Sequence, residues 1–274
     1  MNQTRSKVKA VLEVICVLIL VLFIIRVIWA SDLSAWQKTH LGHPFLNHTT
    51  MIAISLFLLA LARRNLAAYG ISFKNMKYHL LVTLICLLPI LLASSAFNFL
   101  DWQKWDGAFI LSGIYLALLF IFALLLRKKP TPGETAALGA LFLLFAIPTA
   151  AGADIGKRIL GFIYFLFFVG FGEEMLFRGY IQSRLNAAFG RSHRFFGVNW
   201  GWGIIITSLL FGLAHVFNDF NPFLGKFGFV WPWGFWTVFS GLAFGYLREK
   251  TGSIVAPAIL HGLPRAIAAL FFAM

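Results

Sequence analysis

The sequence predicts an all-α protein, a multi-pass transmembrane helical bundle of eight or nine spans. Three observations lead to this fold class. Apolar residues occupy 60% of the 274 positions, and the mean hydropathy is +0.83. Only 12% of the residues are charged, against about 25% in a typical soluble domain. Most apolar residues also fall in runs near the length of about 20 residues that a bilayer crossing needs.

The apolar runs mark nine candidate spans, separated by short polar or basic segments. Several runs are shorter than a full crossing, the eighth most of all. Eight spans with one broken or re-entrant helix is therefore an alternative. The candidate spans are residues 8–30, 47–62, 78–98, 108–126, 135–151, 159–183, 201–217, 233–247 and 253–272.

The basic residues predict the orientation of the bundle. The formal net charge is +13, and most Lys and Arg residues fall in alternate loops, on the side of the N-terminus. The positive-inside rule then predicts a multi-pass protein of the cell (cytoplasmic) membrane with a cytoplasmic N-terminus. This rule explains the charge without nucleic acid, because the basic residues form short clusters between apolar runs. The lipid bilayer is the expected partner.

A loop with two prolines divides the chain. The segment Lys128–Glu134 reads KKPTPGE, and its prolines cannot continue a helix. Residues 1–130 are expected to form N-terminal transmembrane helices, and residues 131–274 a core that contains most of the unusual residues. In the first span, Glu13 and Arg26 lie near opposite ends, where long side chains can reach the membrane interface.

A charged motif interrupts the sixth span. Glu173, Glu174 and Arg178 follow about a dozen almost wholly apolar residues. A charge at the bilayer centre costs about 3 kcal/mol or more, so such residues are paired or functional. On a helix, Glu174 and Arg178 are four residues apart and can pair, whereas Glu173 points about 100° away. We interpret the motif as one structural pair and one functional carboxylate; a purely structural ion pair is the alternative.

Two histidines lie in later spans. His215 is in the seventh span and His261 in the ninth. Residue counts from the helix ends place Glu173, His215 and His261 at depths that agree within a turn or two, so the three can meet. Such a set can activate water, stabilise an oxyanion or bind a single zinc ion. A serine or cysteine nucleophile is poorly supported, since no Gly-x-Ser-x-Gly occurs and neither cysteine falls near the cluster.

These motifs, taken in order, resemble those of the CPBP intramembrane proteases. This group contains the type II CAAX prenyl endopeptidases and bacterial bacteriocin-processing or immunity homologues. The similarity covers roughly residues 155–272. It is carried by Glu173-Glu174-x-x-x-Arg178, by Phe211-x-x-x-His215, by a histidine in a later span, and by the segments GEEMLFRGY and REKTGSI.

The resemblance implies an intramembrane endopeptidase that hydrolyses a peptide bond of a membrane-associated protein or peptide. It implies that Glu173 and His215 activate the attacking water and that His261 helps to stabilise the oxyanion. Glu174 and Arg178 would be mainly architectural. The family has been described both as metalloproteases and as metal-independent glutamic proteases. A zinc ion held by Glu173, His215 and His261 is therefore an alternative to a metal-free site.

One position departs from the family pattern. The family usually has Asn or Asp four residues after the last histidine, where this chain has Arg265, preceded by Pro264. An Arg can donate to an oxyanion, but its reach and charge differ from those of an amide. Pro264 also deforms the helix at this point. A non-catalytic immunity protein or pseudoprotease is therefore an alternative function, and an ion-coupled transporter is a third.

Overall fold

A computed structural model of the protein describes residues 2–127 and 155–271. Within these residues the chain is almost entirely helical, with two short antiparallel hairpins. The helices of this part of the chain are α1 (Asn2–Ala30), α2 (Asp32–Leu41), α3 (Phe45–Leu61), α4 (Met76–Ser95), α5 (Trp105–Leu125), α6 (Ile155–Phe189), α7 (Trp202–Val216), α8 (Trp231–Thr251) and α9 (Val255–Phe271). The hairpins pair β1 (His193–Phe195) with β2 (Val198–Trp200), and β3 (Phe220–Asn221) with β4 (Lys226–Phe227). Short 3-10 turns cover Leu66–Tyr69, Ala96–Asn98, Phe217–Asp219 and Pro222–Leu224.

The all-α prediction is confirmed, and the helices follow the apolar runs of the sequence. Eight of the nine candidate spans coincide with α1 or with one of α3 to α9. The remaining candidate, residues 135–151, lies outside the described residues, as does the loop Lys128–Glu134. The eighth candidate is longer than expected, because α8 extends over 21 residues.

The chain forms a multi-pass membrane bundle, but the count of eight or nine spans is not confirmed. Among the described helices, five are long and apolar enough to cross a membrane, or six if the bent pair α2–α3 is one span. Those two helices meet at 113°. Gly42 ends α2 in the left-handed conformation, which favours glycine, and Pro44 directly precedes α3. The broken element therefore lies at the second candidate span and not at the eighth.

Buried apolar side chains form two clusters, and the candidate site lies between them. One cluster joins residues of α4, α5, α8 and α9 and includes Phe244. The other joins residues of α1, α3, α6 and α7 and includes Phe211. Phe211 and Phe244 both line one cavity. The helices that carry the charged motif and the two histidines therefore converge where the clusters meet.

The long helix α6 changes its hydrogen-bond pattern twice. It is π-helical over Tyr164–Gly170 and again over Met175–Gln182, with a four-residue α segment, Phe171–Glu174, between them. π segments are rare and occur frequently at functional sites. The two adjacent glutamates of the charged motif end the α segment. The apolar pattern predicted one span here and gave no indication of the π geometry.

Two glycines on α6 allow neighbouring helices to approach it closely. A Cβ atom on Gly170 would collide with the backbone oxygen of Ala258 on α9. A Cβ atom on Gly172 would lie 3.0 Å from the Cβ atom of His48 on α3. Small residues at helix contacts are typical of membrane bundles, where they let backbones pack together. α6 is therefore held between α3 and α9.

Glu13 and Arg26, which lie near the ends of the first span, also make contacts inside the protein. Arg26 is 6% exposed and donates hydrogen bonds to the backbone oxygens of Phe217 and Phe220. Glu13 accepts a hydrogen bond from the Tyr180 hydroxyl at 3.1 Å. Buried polar groups need such partners. The two side chains connect α1 to α6 and to the segment after α7.

We expect Gly170→Ala to lower the free energy of unfolding by about 1–3 kcal/mol, the usual cost of overpacking. The added methyl group would meet the rigid backbone of α9 at Ala258. Gly113→Ala on α5 is the matched control, because no other described heavy atom outside its own helix lies within 4 Å of the added carbon. Thermal unfolding of the purified protein in detergent measures both. Equal unfolding temperatures for the two variants would contradict the close approach.

Candidate active site

Glu174 and Arg178 form a fully buried pair on α6, as their spacing predicts. Both side chains are 0% exposed, and Arg178 Nη1 donates to Glu174 Oε1 at 2.9 Å. Arg178 Nη2 donates to the backbone oxygen of Gly241 on α8 at 3.2 Å. The guanidinium also lies 4.5 Å from the ring centre of Phe211 on α7. A counter-charge, a backbone acceptor and an aromatic face together replace part of the water that the guanidinium loses, and Nε has no hydrogen-bond partner among the described residues.

His261 on α9 contacts both adjacent glutamates. Its Nδ1 lies 2.9 Å from Oε1 of Glu174, the oxygen that Arg178 also binds. Its Nε2 lies 3.7 Å from Oε2 of Glu173. Because a carboxylate oxygen only accepts, Nδ1 carries a proton and donates it to Glu174. The ring also stacks on Phe244 with 5.0 Å between centroids, so its orientation is defined on two sides.

Glu173 has a different environment from its neighbour. Its side chain is 13% exposed, and Oε1 lies 3.5 Å from Nε2 of His48 on α3. Oε2 is buried and has no hydrogen-bond partner among the described residues, since the 3.7 Å contact with His261 is too long. The carboxylate therefore lies between two imidazoles, and its Oε2 has no hydrogen bond to the described residues.

On α7, one ring nitrogen of His215 makes a hydrogen bond to the backbone, and the other has no hydrogen-bond partner among the described residues. Its Nδ1 lies 2.8 Å from the backbone oxygen of Phe211, one turn earlier. A carbonyl oxygen only accepts, so in the neutral ring the proton is on Nδ1 and Nε2 has a lone pair. The ring packs against Phe211 and Trp233.

A cavity of about 70 Å³ lies beside both histidines. Its volume suffices for a few water molecules. The wall is mainly aromatic and aliphatic, and the hydroxyls of α8 add polar groups to it. Besides His215 and His261, the side chains that line it include Phe211, Trp236, Thr237, Ser240, Phe244 and Leu260.

Arg265 lies one helical turn after His261, on α9. Its side chain is exposed and lies in the neighbourhood of Tyr115 and Tyr164. α9 continues through Pro264, although this residue has no amide hydrogen to donate to the carbonyl four positions earlier. Arg265 is therefore near the aromatic residues around the site and lies outside the buried cluster of charges.

The structure brings the three predicted functional side chains to one region, and it adds a fourth that the sequence did not indicate. Glu173 and His261 are in contact, and His215 and His261 line the same cavity. His48 was missed, because it lies in the N-terminal half and belongs to none of the motifs. A histidine at the start of an otherwise apolar helix was the only sign, and such residues are usually packing residues.

The candidate metal ligands are of the chemical types that zinc binds, but they are not grouped around one point. Within the described residues, Nε2 of His215 and Oε2 of Glu173 have no hydrogen-bond partner, and Nε2 of His261 makes only a long contact. These are donor types that zinc accepts. However, no three His, Cys, Asp or Glu side chains in the described part of the chain are placed so that they could hold a metal ion. The single zinc ion stays a hypothesis.

We expect Arg178→Met to destabilise the protein by about 3–5 kcal/mol, because it leaves the buried Glu174 charge without its cation. The matched control is Lys104→Met, which breaks the pair with Asp101, where the side chains are 73% and 52% exposed. An exposed pair contributes at most about 1 kcal/mol. Chemical unfolding in detergent measures both. Similar effects of the two substitutions would show that the Arg178 pair is not a buried charge pair.

Comparison with known proteins agrees with the motifs. Residues 155–267 match a family described as Type II CAAX prenyl endopeptidase Rce1-like. No curated protein and no solved structure matches the chain. The matched region begins with α6 and ends within α9, so it contains the charged motif and both predicted histidines. Over residues 155–267 this membrane protein is therefore similar to the Rce1-like peptidase family, and the resemblance to the CPBP intramembrane proteases is confirmed.

Proposed function

We propose that the protein is an intramembrane endopeptidase that hydrolyses a peptide bond of a membrane-associated protein or peptide. The observation that carries the proposal is the environment of the Glu173 carboxylate. Its carboxylate is nearly buried, lies between two imidazoles and has one oxygen without a hydrogen bond to the described residues. A group of this kind is suited to accept a proton from a bound water molecule.

Water activation is assigned to Glu173 and His215. A water beside Glu173 Oε2 gives a proton to that oxygen while its own oxygen attacks the carbonyl carbon of the substrate. Nε2 of His215 has a lone pair and can accept a hydrogen bond from the same water. When the C–N bond breaks, the proton held by Glu173 passes to the leaving amine. Glu173 thus acts first as a base and then as an acid.

Oxyanion stabilisation is assigned to His261. Glu174 accepts the Nδ1 proton of this ring at 2.9 Å, which fixes the ring and favours a second proton on Nε2. Such an Nε2–H can donate to the oxygen of the tetrahedral intermediate. Glu174 and Arg178 then contribute to activity through the position of His261.

The substrate is proposed to reach the site within the bilayer. The charged motif and His215 lie on helices that are long and apolar enough to cross the membrane, so a membrane-associated substrate can meet them there. The protein is further proposed to lie in the cell membrane with a cytoplasmic N-terminus, since most of the basic residues lie on that side. No nucleic-acid partner is proposed.

A non-catalytic immunity protein or pseudoprotease is the second candidate function. The observation that favours it is Arg265, which occupies the place where the family usually has Asn or Asp. In that case the charged cluster would serve packing alone. The wild-type protein should cleave peptides if it is an endopeptidase and should not cleave them if it is a pseudoprotease.

We expect Glu173→Gln to reduce cleavage by about 100- to 10,000-fold, the usual contribution of general acid–base catalysis. The measurement is cleavage of a library of membrane-bound peptides by the purified protein in liposomes. Glu13→Gln is the matched control, with the same chemical change on α1, and its rate should stay near that of the wild type. Undiminished cleavage by Glu173→Gln would rule out the assigned mechanism.

Arg265→Asn, in the same assay, separates the two candidate functions. An active wild type supports the endopeptidase. A wild type that does not cleave, together with an active Arg265→Asn variant, would identify a protein that lost its activity at this position.

We expect a zinc chelator to leave the cleavage rate unchanged, because the proposed steps use only side chains and water. The rate is measured before and after incubation with 1,10-phenanthroline, and the non-chelating 1,7 isomer is the control. A loss of activity that added zinc reverses would instead support a zinc ion held by Glu173, His215 and His261.

A further inference from the structure

His48 is placed against the carboxylate to which water activation is assigned. It lies in the first turn of α3 and is outside the matched residues 155–267. Its Nε2 lies 3.5 Å from Oε1 of Glu173, and both side chains are nearly buried, with 12% and 13% exposed. The contact therefore forms away from bulk water, where such interactions are stronger.

The contact of His48 with the Tyr164 hydroxyl bears on the tautomer of the His48 ring, that is, on which ring nitrogen carries the proton. This hydroxyl lies 3.3 Å from Nδ1 of His48. When it donates to Nδ1, the neutral ring carries its proton on Nε2 and can donate it to Oε1 of Glu173. In this arrangement the Tyr164–His48 contact and the His48–Glu173 contact each pair one donor with one acceptor.

Tyr164 is itself held in place by residues at the start of α3. His43 stacks on its ring with 4.6 Å between centroids and 2° between planes. Phe45 packs edge-on at 5.1 Å. The tyrosine is buried, and the break between α2 and α3 supplies both contacts. The orientation of His48 is therefore supported from two elements, α3 and the first π segment of α6.

The backbones of α3 and α6 are also close at this point. A Cβ atom on Gly172 would lie 3.0 Å from the Cβ of His48 and 3.1 Å from its backbone oxygen. Such a contact is tighter than ordinary van der Waals packing, so only glycine fits at 172 without displacement. This close approach is what brings the imidazole within reach of the residue after Gly172.

We propose that His48, oriented by Tyr164, is a positioning residue that holds Oε1 of Glu173 so that Oε2 faces the attacking water. The two oxygens of the carboxylate differ in the way this requires. Oε1 lies 3.5 Å from the imidazole of His48, whereas Oε2 makes only a longer contact of 3.7 Å with His261 and has no hydrogen bond among the described residues. The inference rests on the proposed function, because it assigns a support to the carboxylate that activates water. It also assigns part of the active site to the N-terminal half of the chain.

The test compares the turnover of His48 variants in liposomes. We expect His48→Ala to lower kcat by about 10- to 100-fold with little change in KM, since a misplacement of about 1 Å can cost about 100-fold in rate. His48→Gln keeps a donor that can reach Glu173 and should recover most of the lost rate. Tyr164→Phe keeps the ring but removes the hydroxyl, and we expect a smaller decrease in kcat.

His40→Ala is the matched control, because His40 is an exposed histidine on the adjacent helix α2. Its kcat and unfolding temperature should equal those of the wild type. A purely structural role for His48 predicts a lower unfolding temperature without recovery of kcat by glutamine, and that pattern would overturn the proposal.

A second readout does not depend on cleavage. In protein labelled with ¹³C in the glutamate carboxyl groups, the infrared difference between wild type and Glu173→Gln identifies the Glu173 band. We expect His48→Ala to shift this band and His40→Ala to leave it in place. An unshifted band in His48→Ala would refute the contact, even if no substrate were cleaved.

Failure of this proposal differs from failure of the proposed function. If Glu173→Gln still cleaves, the proposed mechanism fails whatever His48 does. If Glu173→Gln is inactive while His48→Ala cleaves at the wild-type rate, only the positioning role of His48 is wrong.

Discussion

A guanidinium that is buried in an apolar bundle has to find its counter-charge and its hydrogen-bond acceptors within the protein. Arg178 does so across three helices, with Glu174 on its own helix, the Gly241 backbone oxygen on α8 and the Phe211 ring on α7. The same Glu174 oxygen accepts from His261 on α9. One ion pair therefore locates four helices relative to each other. Displacement of any of them would leave a buried charge or polar atom without a partner.

The chemistry of the site follows from how closely α6 is surrounded. Gly170 admits α9 on one side and Gly172 admits α3 on another. The two residues that follow Gly172 then meet side chains from those same helices. Glu174 is completely enclosed and holds a histidine in place, whereas Glu173 retains slight exposure and lies between two imidazoles. Two adjacent residues of the same type thus have different surroundings, because they point in different directions from one helix.

The parts of the site that could be predicted from sequence are those with a local signal. The pairing of Glu174 with Arg178 follows from four-residue spacing on a helix, and the convergence of the histidines follows from their depth in separate spans. The contact between His48 and Glu173 had no such signal, since it joins residues 125 positions apart through the backbone approach at Gly172. The apolar runs predicted the helices well. They could not predict the 113° bend between α2 and α3, because a bend within apolar surroundings leaves hydropathy unchanged.

The contacts around the charged motif limit how α6 can vary in length during evolution. Each added or deleted residue in an α-helix turns everything beyond it by about 100°. In α6, the glycine contacts and the charged motif lie within a few residues of each other, and different helices meet them on different sides. A single insertion between Tyr164 and Gln182 would therefore separate the carboxylates from their partners, even if every side chain were retained. Related proteins should differ here by substitution and keep the same number of residues, while insertions accumulate in the hairpins outside the bundle.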